Sequence, residues 1–238
     1  APGLRLLMGQ DGRPRRTTWV RGIVLHTTKG IPGGKDQRSQ KVWEGFGPSG
    51  RNAERIARFW STDSAQAGAH LVVDHDGTVA CLADLATEVA FHAGKVNEVT
   101  IGIEIYQGSS AELYEGQLAT VVKLVDFLTE TFGIQRQIHA PYRGGPVPRM
   151  AAGEGDVVGV YGHRDVTDDR GLGDPGDAVF ELLKGAGYEV WDFAAGQDLD
   201  AWKERQRALG LAPDGVPGPK TVEALKTAGR PHGLWVQR

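Results

Sequence analysis

Cysteine and long apolar runs are scarce in this sequence. Cys81 is the single cysteine among 238 residues, which excludes an intramolecular disulfide and any metal site built from several cysteines. No run approaches the roughly 20 apolar residues that span a bilayer, so we expect no membrane partner. The first residues lack the basic and apolar pattern of a secretory signal peptide. These absences leave the redox compartment open.

An excess of charge is also lacking. The 27 basic and 30 acidic residues give a net charge of -3, which argues against a nucleic-acid binder that depends on neutralising phosphates. We therefore expect no nucleic-acid partner. Any polymer that the protein holds is not held by bulk charge, and we expect the protein to act as a monomer.

Apolar patterns of two periods alternate along the first 186 residues. Strands are predicted at 20–26, 69–73, 78–82, 100–106 and 157–161, with an Asp-Gly turn at 76–77 forming a hairpin. Helical spacing occurs at 51–60, at 112–132 and at 174–184, where Asp174 precedes Pro175 as an expected N-cap. The alternation favours an α/β fold, with a central mixed β-sheet flanked by helices.

The composition changes near the end of this alternating region. Gly185 and Gly187 interrupt the last helical pattern, and a separate helical pattern begins after Gly196. We therefore divide the chain into a main domain at 1–186, a linker at 187–197 and a small helical module at 198–238. A module of roughly 40 residues is near the lower size limit for independent folding, so we expect it to lean on the rest of the chain.

Two histidines stand at the ends of predicted strands. His26 closes the first strand, His163 follows the last, and Asp174 comes eleven residues later. Two imidazoles and a carboxylate suit zinc, and three protein ligands leave the fourth tetrahedral position for water. The alternative is that each histidine packs in the core or lies on the surface, as single histidines at strand ends often do.

Glu104 is a carboxylate inside the run Ile-Gly-Ile-Glu-Ile. A carboxylate among isoleucines is costly to bury unless it faces a polar cleft. Alternation puts Gly102, Glu104 and Tyr106 on one face of the strand and the isoleucines on the other. That face is therefore either a reactive cleft or the outside of the sheet.

Five segments in order resemble the type 2 N-acetylmuramoyl-L-alanine amidases, a group that includes phage lysozyme-like enzymes and is similar to animal peptidoglycan recognition proteins. They are 23–28 (Ile-Val-Leu-His-Thr-Thr), 68–77 (Gly-Ala-His-Leu-Val-Val-Asp-His-Asp-Gly), 91–94 (Phe-His-Ala-Gly), 100–104 (Thr-Ile-Gly-Ile-Glu), and 162–165 (Gly-His-Arg-Asp) with 174–176 (Asp-Pro-Gly). The resemblance covers residues 20–185. It implies a zinc enzyme that cleaves the bond between N-acetylmuramic acid and the L-alanine of peptidoglycan.

The resemblance also implies roles for particular residues. His26, His163 and Asp174 match the ligands of one zinc ion, and Glu104 matches the carboxylate that takes a proton from water and returns one to the leaving nitrogen. His92 matches a histidine that lines the substrate groove. His70 matches a histidine often found in the hairpin strand, where a packed core histidine is at least as good an interpretation as substrate binding.

Two positions depart from the family pattern. Ala69 stands where the family commonly has a tyrosine before the hairpin histidine. Leu172 stands where many bacterial members have a lysine thought to stabilise the transition state. Arg164 or Arg170 is then expected to supply the missing positive charge during catalysis. Because the lysine is absent, we expect the rate of amide hydrolysis to be modest.

The C-terminal module resembles a second family, the short helical peptidoglycan-binding domains found beside cell-wall hydrolases. Gln206, Leu209, Thr221 and Leu225 are among the residues that carry this resemblance. It implies that peptidoglycan is the partner of both parts of the chain, and that the protein works at the cell wall after secretion, in a periplasm or on delivery by a phage. A purely structural helical tail is the alternative.

Two other functions compete with an amidase. A non-catalytic recognition protein of the same fold would bind peptidoglycan without cutting it, but such proteins typically lack a zinc ligand, whereas all three matched positions here suit a metal. A zinc peptidase of different specificity is the third candidate, and the sequence contains no His-Glu-x-x-His helix to support it.

Overall fold

One sheet, of seven strands in the described part of the chain, organises the fold. The computed structural model describes residues 20–29, 41–48, 51–61, 67–139, 159–167, 173–191, 199–213 and 224. The strands of this sheet are β1 (Gly22–Thr27), β3 (Leu71–Val73), β4 (Val79–Cys81), β5 (Thr100–Ile105), β7 (Gln137–His139), β8 (Gly159–Gly162) and β9 (Glu189–Trp191). Their order is β4-β3-β5-β1-β8-β7-β9. A separate two-stranded sheet pairs β2 (Val42–Trp43) with β6 (Leu113–Tyr114).

Helices connect and cover the strands. They are α1 (Asn52–Trp60), α2 (Glu115–Phe132), α3 (His163–Val166), α4 (Asp177–Gly185) and α5 (Leu199–Ala208), with a 3₁₀ helix at Gly94–Val99. The long helix expected at 112–132 is confirmed as α2, but it begins at Glu115, because Leu113–Tyr114 form β6. It ends at Gly133, whose φ of 64° is a left-handed conformation that glycine adopts without steric cost.

Most strand pairs of the large sheet are parallel. β1 lies between β5 and β8 and is parallel to both, whereas β3 and β4 form an antiparallel hairpin. This hairpin encloses the Asp-Gly turn, as the sequence predicted. The fold is therefore α/β with a mixed sheet flanked by helices, which confirms the expected class.

The two faces of the sheet bury different clusters. One face packs apolar side chains of β1 and β5 against α2 and α4; this cluster includes Ile23, Leu25, Ile101, Ile103, Leu118, Val121, Val125, Val179 and Leu183. The opposite face buries a smaller cluster of Val24, Ala93, Val96, Val99, Tyr161 and Val166. Because side chains alternate along a strand, His26 and Glu104 belong to the second face. The period-two pattern thus separates the core from the face that carries polar groups.

The start of α4 differs from the prediction. The helix begins at Asp177 with Gly176 at the N-cap, so the expected N-cap role of Asp174 is wrong. The physical reason is that one Asp174 carboxylate oxygen accepts a hydrogen bond from the backbone N–H of Thr27, on β1.

The C-terminal part of the chain is described only in part. β9 lies within the segment predicted as a linker and pairs in parallel with β7, which extends the sheet beyond residue 186. The module predicted at 198–238 contains α5, while residues 214–223 and 225–238 lie outside the described part. Among the described residues, no helix combines the length and apolarity needed to cross a bilayer.

Candidate active site

The carboxyl ends of three adjacent strands meet at one edge of the sheet. In the parallel register, His26 on β1 lies beside Glu104 on β5, and Leu25 lies beside Gly162 at the end of β8. His163 follows Gly162 directly, and its ring centroid lies 4.4 Å from that of His26. Open parallel sheets bind ligands at this edge.

Donor atoms of His26, His163 and Asp174 converge there. His26 Nδ1 lies 2.9 Å from His163 Nδ1, which lies 3.1 Å from Asp174 Oδ2. One donor atom of each residue falls within 4.8 Å of the others. Zinc bonds of roughly 2.0 to 2.1 Å in tetrahedral geometry separate neighbouring donors by about 3.3 Å. The spacing and the chemistry of this donor set therefore fit one zinc ion.

Asp174 is held in place by the end of β1. Its Oδ1 accepts the backbone N–H of Thr27 at 2.9 Å, and the Thr27 hydroxyl donates to the carbonyl oxygen of Gly173 at 2.8 Å. These two bonds tie residues 173–174 to the strand that carries His26. The other carboxylate oxygen of Asp174 is thereby directed toward His163.

A cleft of approximately 430 Å³ opens over the three donors. Its lining combines this polar cluster with Glu104, residues of α1 and further apolar groups. The set is His26, Thr27, Thr28, Arg55, Ile56, Phe59, Trp60, Ala67, Gly68, Phe91, His92, Glu104, His163 and Asp174. Glu104 therefore faces a cleft that it shares with the convergent donors. The strand face that carries Glu104 could have been either a cleft or the outside of the sheet, and in the structure it lines a cleft.

His92 and His70 occupy different environments. His92 lines the cleft, is 9% exposed, and places Nδ1 at 3.0 Å from His26 Nε2. His70 is fully buried and is not part of the cleft lining. Its Nδ1 accepts the backbone N–H of Gly102 and its Nε2 contacts the carbonyl oxygen of Glu88. Of these two histidines, the structure places only His92 where a substrate could touch it, and His70 has the packed core position.

Residues 15–177, more than half of the chain, match the family described as N-acetylmuramoyl-L-alanine amidase. The chain belongs to this family. The match includes each of His26, Glu104, His163 and Asp174, and it confirms the enzyme class predicted from the five sequence segments. No curated protein matches the chain significantly.

Several solved structures resemble this amidase. The catalytic domain of XlyA is 20% identical, covers 74% of this chain and 90% of that chain, and has a TM-score of 0.43. The N-acetylmuramoyl-L-alanine amidase LysC from Clostridium intestinale URNW is 19% identical, with coverages of 76% and 95% and a TM-score of 0.43. The Staphylococcus aureus hydrolase AmiA, solved with its ligand, is 14% identical, with coverages of 94% and 85% and a TM-score of 0.41. Membership of the family depends on the match over residues 15–177.

Arg164 does not reach the cleft of the amidase. Its side chain is 1% exposed, and its guanidinium donates to Asp177 Oδ1 at 2.7 Å and faces the ring of Phe180 at 5.2 Å. The expectation that Arg164 stabilises a transition state is therefore corrected. The buried ion pair holds its guanidinium at Asp177, so that the arginine anchors α4 to α3. Arg170 and Leu172 lie outside the described residues.

Arg55, among the described residues that line the cleft, is an arginine that the sequence did not point to. It lies on α1 with Phe59, four residues later, and both side chains line the cleft. Residues four apart share a helix face, so an arginine and an aromatic at this spacing were the signal that could have pointed to it. A helix predicted without its orientation does not say which face meets the site.

Asp74 fixes the start of α1 and hence this side of the cleft. Its carboxylate accepts hydrogen bonds from the backbone N–H of Ala53, the side chain of Asn52 and the backbone N–H of His75. Burial acts to raise the pKa of Asp74, but these bonds outweigh it and the pKa is lowered from its usual value. The carboxylate therefore stays charged and clamps the helix to the end of β3.

Proposed function

We propose that this amidase uses one zinc ion to hydrolyse the amide bond between N-acetylmuramic acid and L-alanine in peptidoglycan. The observation that carries the proposal is the set of His26, His163 and Asp174 donor atoms within 4.8 Å of one another, in a cleft that Glu104 also lines. A zinc ion held there would polarise the amide carbonyl and acidify a water molecule. Family membership supports the substrate class.

Glu104 moves the proton in the proposed reaction. One of its carboxylate oxygens accepts a proton from water as the water oxygen bonds to the lactyl carbonyl carbon. The same carboxyl group gives this proton to the alanine nitrogen as the C–N bond breaks. The products are a lactyl carboxylic acid and a free α-amine on L-alanine. The position of Glu104 beside His26 in the strand register supports this role.

The remainder of the cleft suits a glycopeptide. Phe59 and Phe91 line it with side chains that are 61% and 36% exposed, and such aromatic surfaces pack against sugar faces and alkyl chains. The guanidinium of Arg55 suits a carboxylate of the stem peptide, because it presents paired donors. The site of action would be the cell wall, reached by secretion or by delivery from a phage.

A recognition protein that binds without cutting is the competing function. Binding alone requires neither a convergent two-histidine and one-carboxylate donor set nor a carboxylate beside it. The presence of both in one cleft favours hydrolysis. The two functions differ in a product that can be measured.

The wild-type protein is expected to contain one zinc per chain and to expose new N-terminal L-alanine in purified cell walls. Chelation should abolish this release and added zinc should restore it, because the metal supplies the Lewis acid. Metal analysis and end-group labelling on one preparation measure both. New amines on a different residue would indicate a peptidase, and zinc-loaded protein that binds walls without releasing an amine would replace hydrolysis with recognition.

We further propose that residues 1–186 form the catalytic domain and that the module at 198–238 holds the enzyme on the wall. The segment 187–197 would link the two, with its strand β9 added to the edge of the catalytic sheet. The proposed ligands and Glu104 all precede residue 186, and α5 is the described helix of the module.

Deleting residues 198–238 is expected to weaken binding to intact walls by about tenfold or more, since the module would raise the local concentration of enzyme on the polymer. Turnover of a small soluble muropeptide should stay near the wild-type value. Pull-down on walls and soluble-substrate rates measure the two effects, and melting curves show whether the shortened chain is folded. A folded truncation that no longer cleaves the soluble substrate would place the module inside the catalytic unit.

A further inference from the structure

A row of buried hydrogen-bonding groups leads from the proposed metal site into the core. His26 Nε2 lies 3.0 Å from His92 Nδ1, and His92 Nε2 lies 3.2 Å from Thr100 Oγ1. The Thr100 hydroxyl donates to the carbonyl oxygen of Val96 at 2.7 Å. His26, His92 and Thr100 are 3%, 9% and 0% exposed, so the row is largely shielded from bulk water.

The far end of this row sets the direction of every bond in it. A hydroxyl has one proton, and a carbonyl oxygen can only accept. If the Thr100 proton pointed to His92, the Thr100 and Val96 oxygens would face each other at 2.7 Å without a proton between them. The proton therefore lies on the Val96 side. Thr100 Oγ1 is then an acceptor toward His92, and His92 Nε2 carries a proton.

The same reasoning extends to the proposed zinc ligand. With its proton on Nε2, a neutral His92 presents a lone pair at Nδ1, which accepts a proton from His26 Nε2. His26 then carries its proton on Nε2, and the lone pair of its Nδ1 is available to bind a metal ion. Nδ1 is the atom that lies 2.9 Å from His163 Nδ1, in the convergent donor set.

We infer that His92 and Thr100 are positioning residues that fix His26 in its metal-binding tautomer, an inference that rests on the proposed zinc function. A metal-ligating histidine usually donates its other ring N–H to a fixed acceptor, which orients the ring and raises its basicity. Here the acceptor is another histidine, whose own tautomer is set by a threonine. His92 thus acts on the metal site through His26, in addition to lining the cleft.

The backbone around His92 holds this arrangement in place. Asn97 Oδ1 accepts the backbone N–H groups of both His92 and Ala93, at 3.0 and 2.6 Å. Gly102 lies under the imidazole, where an added Cβ would come within 2.6 Å of His92 Cγ. The glycine in the strand therefore leaves the space that the ring needs in order to reach His26.

Thr100→Val is expected to weaken zinc binding by about tenfold or more, as loss of an outer partner of a ligand typically does. Valine keeps the shape of threonine but removes the acceptor that orients His92. Thr100→Ser keeps the hydroxyl and is expected to bind zinc within about threefold of the wild type. Chelator competition on the folded proteins, without substrate, measures both affinities.

Each outcome of this comparison separates the inference from the proposed function. Thr100→Val with wild-type zinc affinity would overturn the inference and leave the zinc amidase standing, whereas a wild type that binds no zinc would overturn both. Nitrogen NMR of histidine-labelled, zinc-loaded wild type shows which ring nitrogen of each histidine carries a proton. This measurement needs no variant, so misfolding of a variant cannot affect it. We expect His26 and His92 each to be protonated on Nε2 and not on Nδ1. A proton on His92 Nδ1 would overturn the inference.

Discussion

Glu104→Gln is expected to lower the rate of amide hydrolysis by about 10²- to 10⁴-fold while the zinc content stays at the wild-type level. Glutamine keeps the size of the side chain and part of its hydrogen bonding but cannot take a proton from water. The donor set of His26, His163 and Asp174 does not include this residue. Zinc content, melting temperature and hydrolysis rate should be measured on the same preparation.

Glu130→Gln is a matched control for the loss of one carboxylate. Glu130 is exposed on α2, the helix that packs on the opposite face of the sheet from the cleft, so this variant should keep its activity. A structural role for Glu104 predicts a different result, with a lower melting temperature and near-normal activity per folded molecule. With Leu172 at the position of the usual lysine, the wild-type rate of amide hydrolysis is expected to be modest. The assay must therefore detect rates well below that of the wild type.

The double variant His26→Ala, His163→Ala is expected to lose stoichiometric zinc and all measurable hydrolysis. One carboxylate from Asp174 would be the sole remaining ligand of the proposed three, and a single carboxylate does not hold zinc tightly. Metal that binds only the folded state also stabilises it, by about 4 kcal/mol at roughly 1,000 times the dissociation constant. The melting temperature of the wild type should therefore fall on chelation, and that of the double variant should not respond.

His232→Ala is the matched control, because this histidine lies beyond residues 15–177 of the family match. It should keep one zinc per chain and the response to chelator. Stoichiometric zinc retained by the double variant would place the metal elsewhere and would contradict the proposed site. The measurements are metal analysis after dialysis, melting curves with and without chelator, and hydrolysis of a small soluble muropeptide, which should not depend on the proposed wall-binding module that contains His232.

Much of the fold was predictable because its signals are local. Alternation in β1 and β5 separates the isoleucines from His26 and Glu104 without any knowledge of the partner strands. The apolar stripe of α2 and the Asp-Gly turn of the hairpin are also local patterns. The start of α4 was not predictable from local patterns. Asp174 does not cap this helix, because its carboxylate accepts a hydrogen bond from the backbone N–H of Thr27, 147 positions earlier in the chain.

The candidate site was predictable in its residue types and less so in its surroundings. Two strand-end histidines, an aspartate and a strand carboxylate could be selected from the sequence, and the parallel register of β1, β5 and β8 brings them to one edge. Arg164 was expected in the cleft, but packing of α4 gives it Asp177 as a partner instead. Arg55 entered the cleft unpredicted because a helical pattern does not state the orientation of the helix.

The sequence by itself determined the positions of β1, β3, β4, β5 and β8 and of the long helix α2, the apolar faces of β1 and β5, and the residue types available for metal and proton chemistry. It did not predict β2, β6, β7 or β9, which are only two or three residues long and have too few positions to show a period. Tertiary structure alone decided which histidines lie at the candidate site and which pack in the core. His70 follows Ala69 and His92 follows Phe91, so both stand beside apolar residues in the sequence. In the structure, however, the ring nitrogens of His70 contact backbone groups of Gly102 and Glu88, whereas the ring of His92 connects His26 to Thr100. The physical reason is that a side chain's role depends on the atoms within hydrogen-bonding distance of it, and strand pairing and packing place those atoms.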